Sequence, residues 1–205
     1  MQISLNGVNK RYNREWIFRK LDATFNRGHQ YAITGPNGSG KSTLLKIISG
    51  STIPSSGSIK YQIDSKEVLV DDVYRHMAIV APYLKLIEDF TIEESVKFHF
   101  KFKKIRPDAD QNELPDIFQL DLARKKYLKN LSTGMRQRMK LGLALYSEVP
   151  LLLLDEPLTN LDSRGVDWYI SEIDKIKDKR LIIVCSNRKD EISFCKHEIS
   201  LLDYK

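Results

Sequence analysis

The sequence predicts an α/β fold: a core built on a parallel sheet, preceded by an antiparallel β-subdomain and interrupted by an inserted helical lobe. Three observations predict it. Short continuous apolar runs, "LLLLD" at 151–155 and "LIIVCS" at 181–186, alternate with helix-period segments, as strands do when crossover helices bury both of their faces. The opening residues alternate apolar and polar in "ISLNGVNKRY" and "LDATF", as strands with one solvated face do. The middle third carries helix-start signals where strand patterning would otherwise continue.

Each element follows in order. The alternating opening segments form an antiparallel edge sheet. "YAITGPNGSGKSTLLKIISG" reads as a buried strand, a Gly-rich turn, and a helix that places Leu44, Leu45, Ile47 and Ile48 on one face and closes at Gly50. "PSSGS" at 54–58 reads as a turn only. "TIEESVKF" opens with a capping box, Thr91 with Glu94 three residues on, and "LSTGMRQRMKLGLALY" starts a helix at Ser132 or Thr133, so the middle third reads as mostly helical. After it come the strand "LLLLD", the helix "VDWYISEIDKIK", the strand "LIIVCS", a short helix near 190 and the strand "EISLL". Residues 1–205 form one domain, with the helical lobe at about 84–148.

Composition bounds the class. At 205 residues, 41% hydrophobic and 29% charged, the chain has the balance of a globular domain, which excludes disordered and fibrous classes. Its longest apolar runs fall far short of the roughly 20 residues of a membrane span. "MQISLNGVNKRYN" lacks the apolar stretch of a signal peptide, and Cys185 and Cys195 form no metal or redox spacing, so two free thiols in a reducing cytoplasm are expected. The net charge of +6 is localised: residues 97–140 hold 12 Lys/Arg against 5 Asp/Glu. Such a window is either a set of solvated helix faces or a contact for nucleic acid or an anionic membrane.

The chemistry begins at "GPNGSGKST", residues 35–43, which matches G-x-x-x-x-G-K-[ST] between a strand and a helix. The core is therefore expected to be of the P-loop NTPase kind. Gly35, Pro36, Asn37, Gly38, Ser39 and Gly40 form a loop whose backbone N–H groups converge on phosphates, Lys41 supplies a point charge between the β- and γ-phosphates, and Ser42 and Thr43 open the helix behind them. The substrate expected is ATP with Mg²⁺, held by the Ser42 hydroxyl and by Asp155 at the end of "LLLLD". The adjacent Glu156 faces the γ-phosphate in this reading and orients or deprotonates the attacking water.

With those pieces in place, "LSTGMRQR" at 131–138 resembles the signature sequence of the ATP-binding subunits of ABC transporters, and the resemblance runs over nearly the whole chain. It implies a head-to-tail homodimer with ATP sandwiched between the phosphate loop of one subunit and Ser132 and Gly134 of the other. It also implies separately encoded transmembrane subunits and a peripheral place on the inner face of the membrane. "LTNLD" is similar to the next family segment and puts Asp162 at the dimer seam, and Tyr12 matches the residue that stacks on adenine. Asn187 sits where the family places a His that touches the γ-phosphate, and is expected to donate an amide hydrogen bond there.

Three features depart from the family. Thr133 and Met135 replace the commoner Gly and Gln of the signature. Pro82 follows "MAIVA" where a Gln contacts magnesium, water and the membrane partner, and proline has no donor. Asn187 keeps hydrogen-bonding capacity without a cationic form. Slow hydrolysis is the expectation. The alternatives are a non-transport relative acting on nucleic acid or ribosomes, and a slow regulatory ATP binder. The nucleic-acid relatives usually carry two cassettes, coiled-coil insertions or Cys-rich zinc modules, which this chain lacks.

Overall fold

The computed structural model describes residues 1–205. Strands β1 (Gln2–Tyr12) and β2 (Glu15–Asn26) form a hairpin around Asn13, whose φ of 53° suits the turn. With β4 (Ser56–Ile63) and β5 (Lys66–Val68) they make an antiparallel sheet of order β2-β1-β4-β5. Its inward residues, among them Ile3, Leu5, Val8, Phe18, Leu21, Phe25 and Tyr61, are buried; the strict alternation of Ile3 and Leu5 widens at Val8 and along β2, where register shifts interrupt the pairing of β1 with β2.

A second sheet, entirely parallel, is formed by β6 (Met77–Val80), β7 (Leu151–Asp155), β8 (Leu181–Cys185), β3 (Gln30–Thr34) and β9 (His197–Ser200), in that spatial order. Every residue of β7 and β8 is buried. The pleat sends Leu151, Leu153, Leu181 and Ile183 into a core shared with the antiparallel sheet and helix α1 (Lys41–Ile48). Leu152, Leu154, Ile182 and Val184 face the opposite core. There they meet residues of α2 (Ile92–His99), α3 (Leu114–Ile117), α4 (Thr133–Tyr146) and α5 (Ser163–Ile176). A shift of one residue would exchange the two cores, so the register is strongly specified. Truncating any of these leucines to Ala is expected to cost about 2–5 kcal/mol. Helix α6 (Lys189–Ile192) links β8 to β9. No helix is long and apolar enough to cross a membrane.

Helix starts are set by caps that the sequence displays. Thr91 caps α2 in a complete capping box with Glu94, and Ser132 caps α4 by accepting from Met135 N at 3.2 Å. Gly50, at φ 75°, follows the end of α1.

Three expectations are corrected. "PSSGS" is not only a turn, because β4 begins at Ser56; Gly57, at φ 88°, lies so close over the Gly7 backbone that no side chain fits between them. The middle third is less helical than its caps suggest, since between Phe100 and Leu131 there are only the four-residue α3 and two 3₁₀ turns. The segment "EISLL" leaves the sheet at Ser200 and finishes in a 3₁₀ turn at Leu201–Tyr204. Within the basic window, Arg124 pairs with Asp116 and Glu93 and Lys129 with Asp89, while Lys103 donates to the carbonyls of Tyr74 and Met77.

Candidate functional site

The C-terminal ends of β3, β7 and β8 converge, and the chain leaves each of them in a loop carrying one of the predicted groups. After β3, residues 35–40 turn back on themselves into α1. Gly35 has φ 142°, and a Cβ on it would meet Ser39 Oγ at 2.7 Å; Gly40 has φ 107°, and a Cβ there would collide with Ile17 of β2. Only glycine satisfies both positions. Lys41 is buried, and its Nζ donates to the carbonyls of Gly35 at 2.6 Å and Pro36 at 3.3 Å, so the ammonium lies inside the ring of the loop. Ser39 Oγ is buried without a partner.

Asp155 closes β7, 3% exposed, and burial raises its pKa, an effect partly offset by the neighbouring Ser42 hydroxyl, Lys41 and Lys46. A carboxylate beside a hydroxyl, with no imidazole or thiolate in the set, is a hard oxygen site suited to Mg²⁺. Glu156 follows with φ 47°, a left-handed conformation that a glutamate adopts only when its surroundings impose it. Its N–H donates to Cys185 O at 3.0 Å, which fastens it to the end of β8. The buried Cys185 thiol donates to Lys41 O at 3.6 Å, and burial pushes its pKa far up, so it is a neutral packing group.

Asn187 lies just past β8 and engages the backbone of one residue with both halves of its amide. Its Oδ1 accepts from Gly35 N at 3.0 Å and its Nδ2 donates to Gly35 O at 2.7 Å. The residue is thus placed at the phosphate loop, as expected, but as a brace on it. The second N–H of the same Nδ2 is left free to donate to a γ-phosphate.

The signature residues lie elsewhere in the chain. Ser132 is exposed at the start of α4, and no hydrogen bond joins it or Gly134 to residues 35–43. Gly134 packs so tightly on the loop after β7 that a Cβ would sit 2.7 Å from Asn160 O. Gln137 is buried and donates to Pro157 O at 2.7 Å, joining the signature helix to the segment that holds Glu156. Asp162 is exposed and caps α5, accepting from Gly165 N at 2.9 Å. Tyr12 ends β1, 48% exposed, with Lys10 Nζ at 4.8 Å from its ring centre. Pro82 lines a groove between β6 and the lobe with Leu84, Lys85, Thr133 and Arg136.

One neighbour of the site carries no sequence signal. Tyr83 has Lys46 Nζ 4.2 Å from its ring centre, and its hydroxyl is pushed up to about 12, first by burial and then by the Asp155 carboxylate. A tyrosine after a proline is unremarkable as a string of letters; only the fold brings it beside Asp155.

Comparison with known proteins agrees with this geometry. A family model described as ABC transporter matches residues 18–159. The sulfate/thiosulfate import ATP-binding protein CysA of Pectobacterium atrosepticum is 36% identical over 172 residues, covering 80% of this chain and 52% of that protein. The uncharacterized ABC transporter ATP-binding protein YybJ of Bacillus subtilis is 27% identical over 94% of this chain and 89% of its own length. The chain spans about half the length of the CysA relatives it matches. Among solved structures, a putative ABC transporter ATP-binding protein from Pyrococcus furiosus superposes with a TM-score of 0.82 at 24% identity, over 100% of both chains. The dimeric bacterial ABC transporter cassette MJ0796 also gives 0.82 at 24%, over 97% of this chain and 93% of that one. With residues 18–159 matched by the family model and 80% of its length aligned with a relative at 36% identity, this chain belongs to the ABC transporter family of ATP-binding proteins.

Proposed function

We propose that this chain binds and hydrolyses MgATP and that the resulting dimer closure and opening drive a separately encoded membrane transporter subunit. The observation that carries the reading is the convergence of Lys41, Asp155 and the strained Glu156 at the ends of β3 and β7.

Each group has a task. Lys41 exchanges its two carbonyl bonds for the β- and γ-phosphates, and the N–H groups of residues 38–43 add the positive end of α1. Ser42 and Asp155 would hold Mg²⁺, which would neutralise charge on the phosphate oxygens. Glu156, held by its backbone bond to Cys185, accepts the proton of the attacking water. Asn187 keeps Gly35 in place and supplies an amide donor near the transferred phosphoryl group. Because no hydrogen bond joins the signature to its own phosphate loop, Ser132 and Gly134 are assigned to the nucleotide of a second copy, with Asp162 at the seam and Tyr12 stacking on adenine. The lobe at about 84–148 and the groove beside Pro82 form the side that faces the membrane partner, with the chain peripheral on the cytoplasmic face. Pro82 leaves that side without the donor a Gln would give, so hydrolysis is slow.

Purification of the tagged chain from membranes tests the reading. A co-purifying hydrophobic protein supports it; bound RNA or DNA with no membrane protein would favour the nucleic-acid alternative.

A further inference from the structure

At the N-terminal end of the parallel sheet lies a feature that the nucleotide site does not use. Arg180 immediately precedes β8 and is 6% exposed. Its buried Nη1 has no hydrogen-bond partner, and none of the ion pairs of the chain includes it. Arg106, 5% exposed, lies near enough to repel it. Asp108 grips two nitrogens of Arg106, but its Nη1 is also without a hydrogen-bond partner, with Glu172 Oε2 only at 3.6 Å. A buried guanidinium with no ion-pair partner is costly, and burial together with Arg106 pulls Arg180 down to about 10, an effect that the more distant Asp108 and Glu148 carboxylates only partly offset.

Both arginines line one cleft of about 870 Å³, within the usual range for small-molecule sites. Six Lys/Arg face it against three acids, Asp64, Asp108 and Glu148. Arg27 is engaged with Lys179 O and Lys175 with Glu172, which leaves Lys104 and Lys179 as exposed cations with no ion pair. No Phe, Tyr or Trp lines the cleft, so it lacks the stacking platform of a single-strand nucleic-acid site.

We propose that this cleft is a second anion site, taking a small multivalent oxyanion of the phosphate class. The Arg180 guanidinium supplies the fixed planar donors and Lys104 and Lys179 supply the remaining charge. The five residues of β8, about 16 Å at the usual strand rise, separate it from Asn187 and the phosphate loop. It is therefore a site distinct from that of the nucleotide.

Magnesium-free pyrophosphate serves as the probe, titrated by calorimetry into chain whose phosphate loop is silenced by Lys41→Ala. One binding site is expected, weakening as salt rises, and Lys104→Gln combined with Lys179→Gln should weaken it at least tenfold. Thermal melting gives the second readout. Arg180→Met removes the unpaired charge and keeps an unbranched stem, so it should melt no lower than its parent without anion and should lose the pyrophosphate-dependent rise. The proposal fails if the Lys41→Ala chain takes up no pyrophosphate at millimolar concentration, or if the double lysine variant binds as well as its parent. It fails equally if these residues bind phosphatidylserine vesicles or an oligonucleotide while ignoring pyrophosphate.

Discussion

Replacing Asn187 with Ala removes two hydrogen bonds at once, those between its amide and the N–H and carbonyl of Gly35. A neutral hydrogen bond is worth about 0.5–1.5 kcal/mol net, and an exposed pair falls toward the lower end, so Asn187→Ala should cost about 1–2 kcal/mol. For a chain of this size each kcal/mol moves Tm by roughly 2–4 °C, which predicts a fall of about 2–8 °C. Catalysis should suffer separately. One positioned donor to developing phosphoryl charge is worth at most about 10² to 10³ in rate, and a neutral amide in a partly wet site belongs lower, near 10 to 10². Steady-state phosphate release across an ATP series, with a melting curve on the same samples, separates the two effects. A 10- to 100-fold loss of turnover at saturating ATP, with a smaller change in ATP affinity, is expected. Asn187→His should introduce an inflection near pH 6.5 that the native residue lacks. If Asn187→Ala keeps both the native Tm and the native turnover, the brace and the catalytic donor are both refuted.

Three further outcomes are expected. Lys41→Ala should abolish measurable ATP binding in equilibrium dialysis, because the phosphates lose their fixed counter-charge in a partly desolvated loop. Gly134→Ala forces a Cβ against the Asn160 carbonyl, so it should destabilise by about 1–3 kcal/mol in urea denaturation and weaken ATP-dependent dimerisation in sizing chromatography. His99 is held neutral by burial, with its pKa lowered from 6.5 to about 4, and its Nε2 lies 2.8 Å from Ser147 Oγ. The unfolded chain therefore binds this proton first, and stability present above pH 6.5 is lost as pH falls toward 4. About 1–2 kcal/mol is expected from this group after allowing for its partial exposure. Urea denaturation of His99→Gln across that range should show a flatter pH dependence.

The parts of the fold that were legible in the sequence are those specified locally. The apolar runs Leu151–Leu154 of β7 and Leu181–Cys185 of β8 are buried on both faces, the Thr91 and Ser132 caps start their helices, and Gly35 and Gly40 stand where only glycine fits. Strand β4 was hidden because its pairing depends on Gly57 lying against Gly7, a contact between residues 50 positions apart that no local pattern records. The segment 100–131 misled for the opposite reason: the genuine caps at Thr91 and Ser132 flank it, and between them packing around Leu114, Phe118 and Leu128 holds the chain without long helices. At the site, Lys41, Asp155 and Glu156 were readable from motif spacing. The brace from Asn187 to Gly35, the approach of Tyr83 to Asp155 and the bond from Gln137 to Pro157 were not, since each joins segments that meet only after the sheet is assembled.

The central claim is that Glu156 is the hydrolytic base in an ATP sandwich between two copies of this chain. Glu156→Gln in saturating MgATP tests it most directly, with phosphate release and molecular mass by sizing chromatography measured on one preparation. The account predicts retained ATP binding, hydrolysis slowed by at least about 10², and a stable dimer with two ATP molecules. A variant that hydrolyses ATP at the native rate and stays monomeric would contradict it.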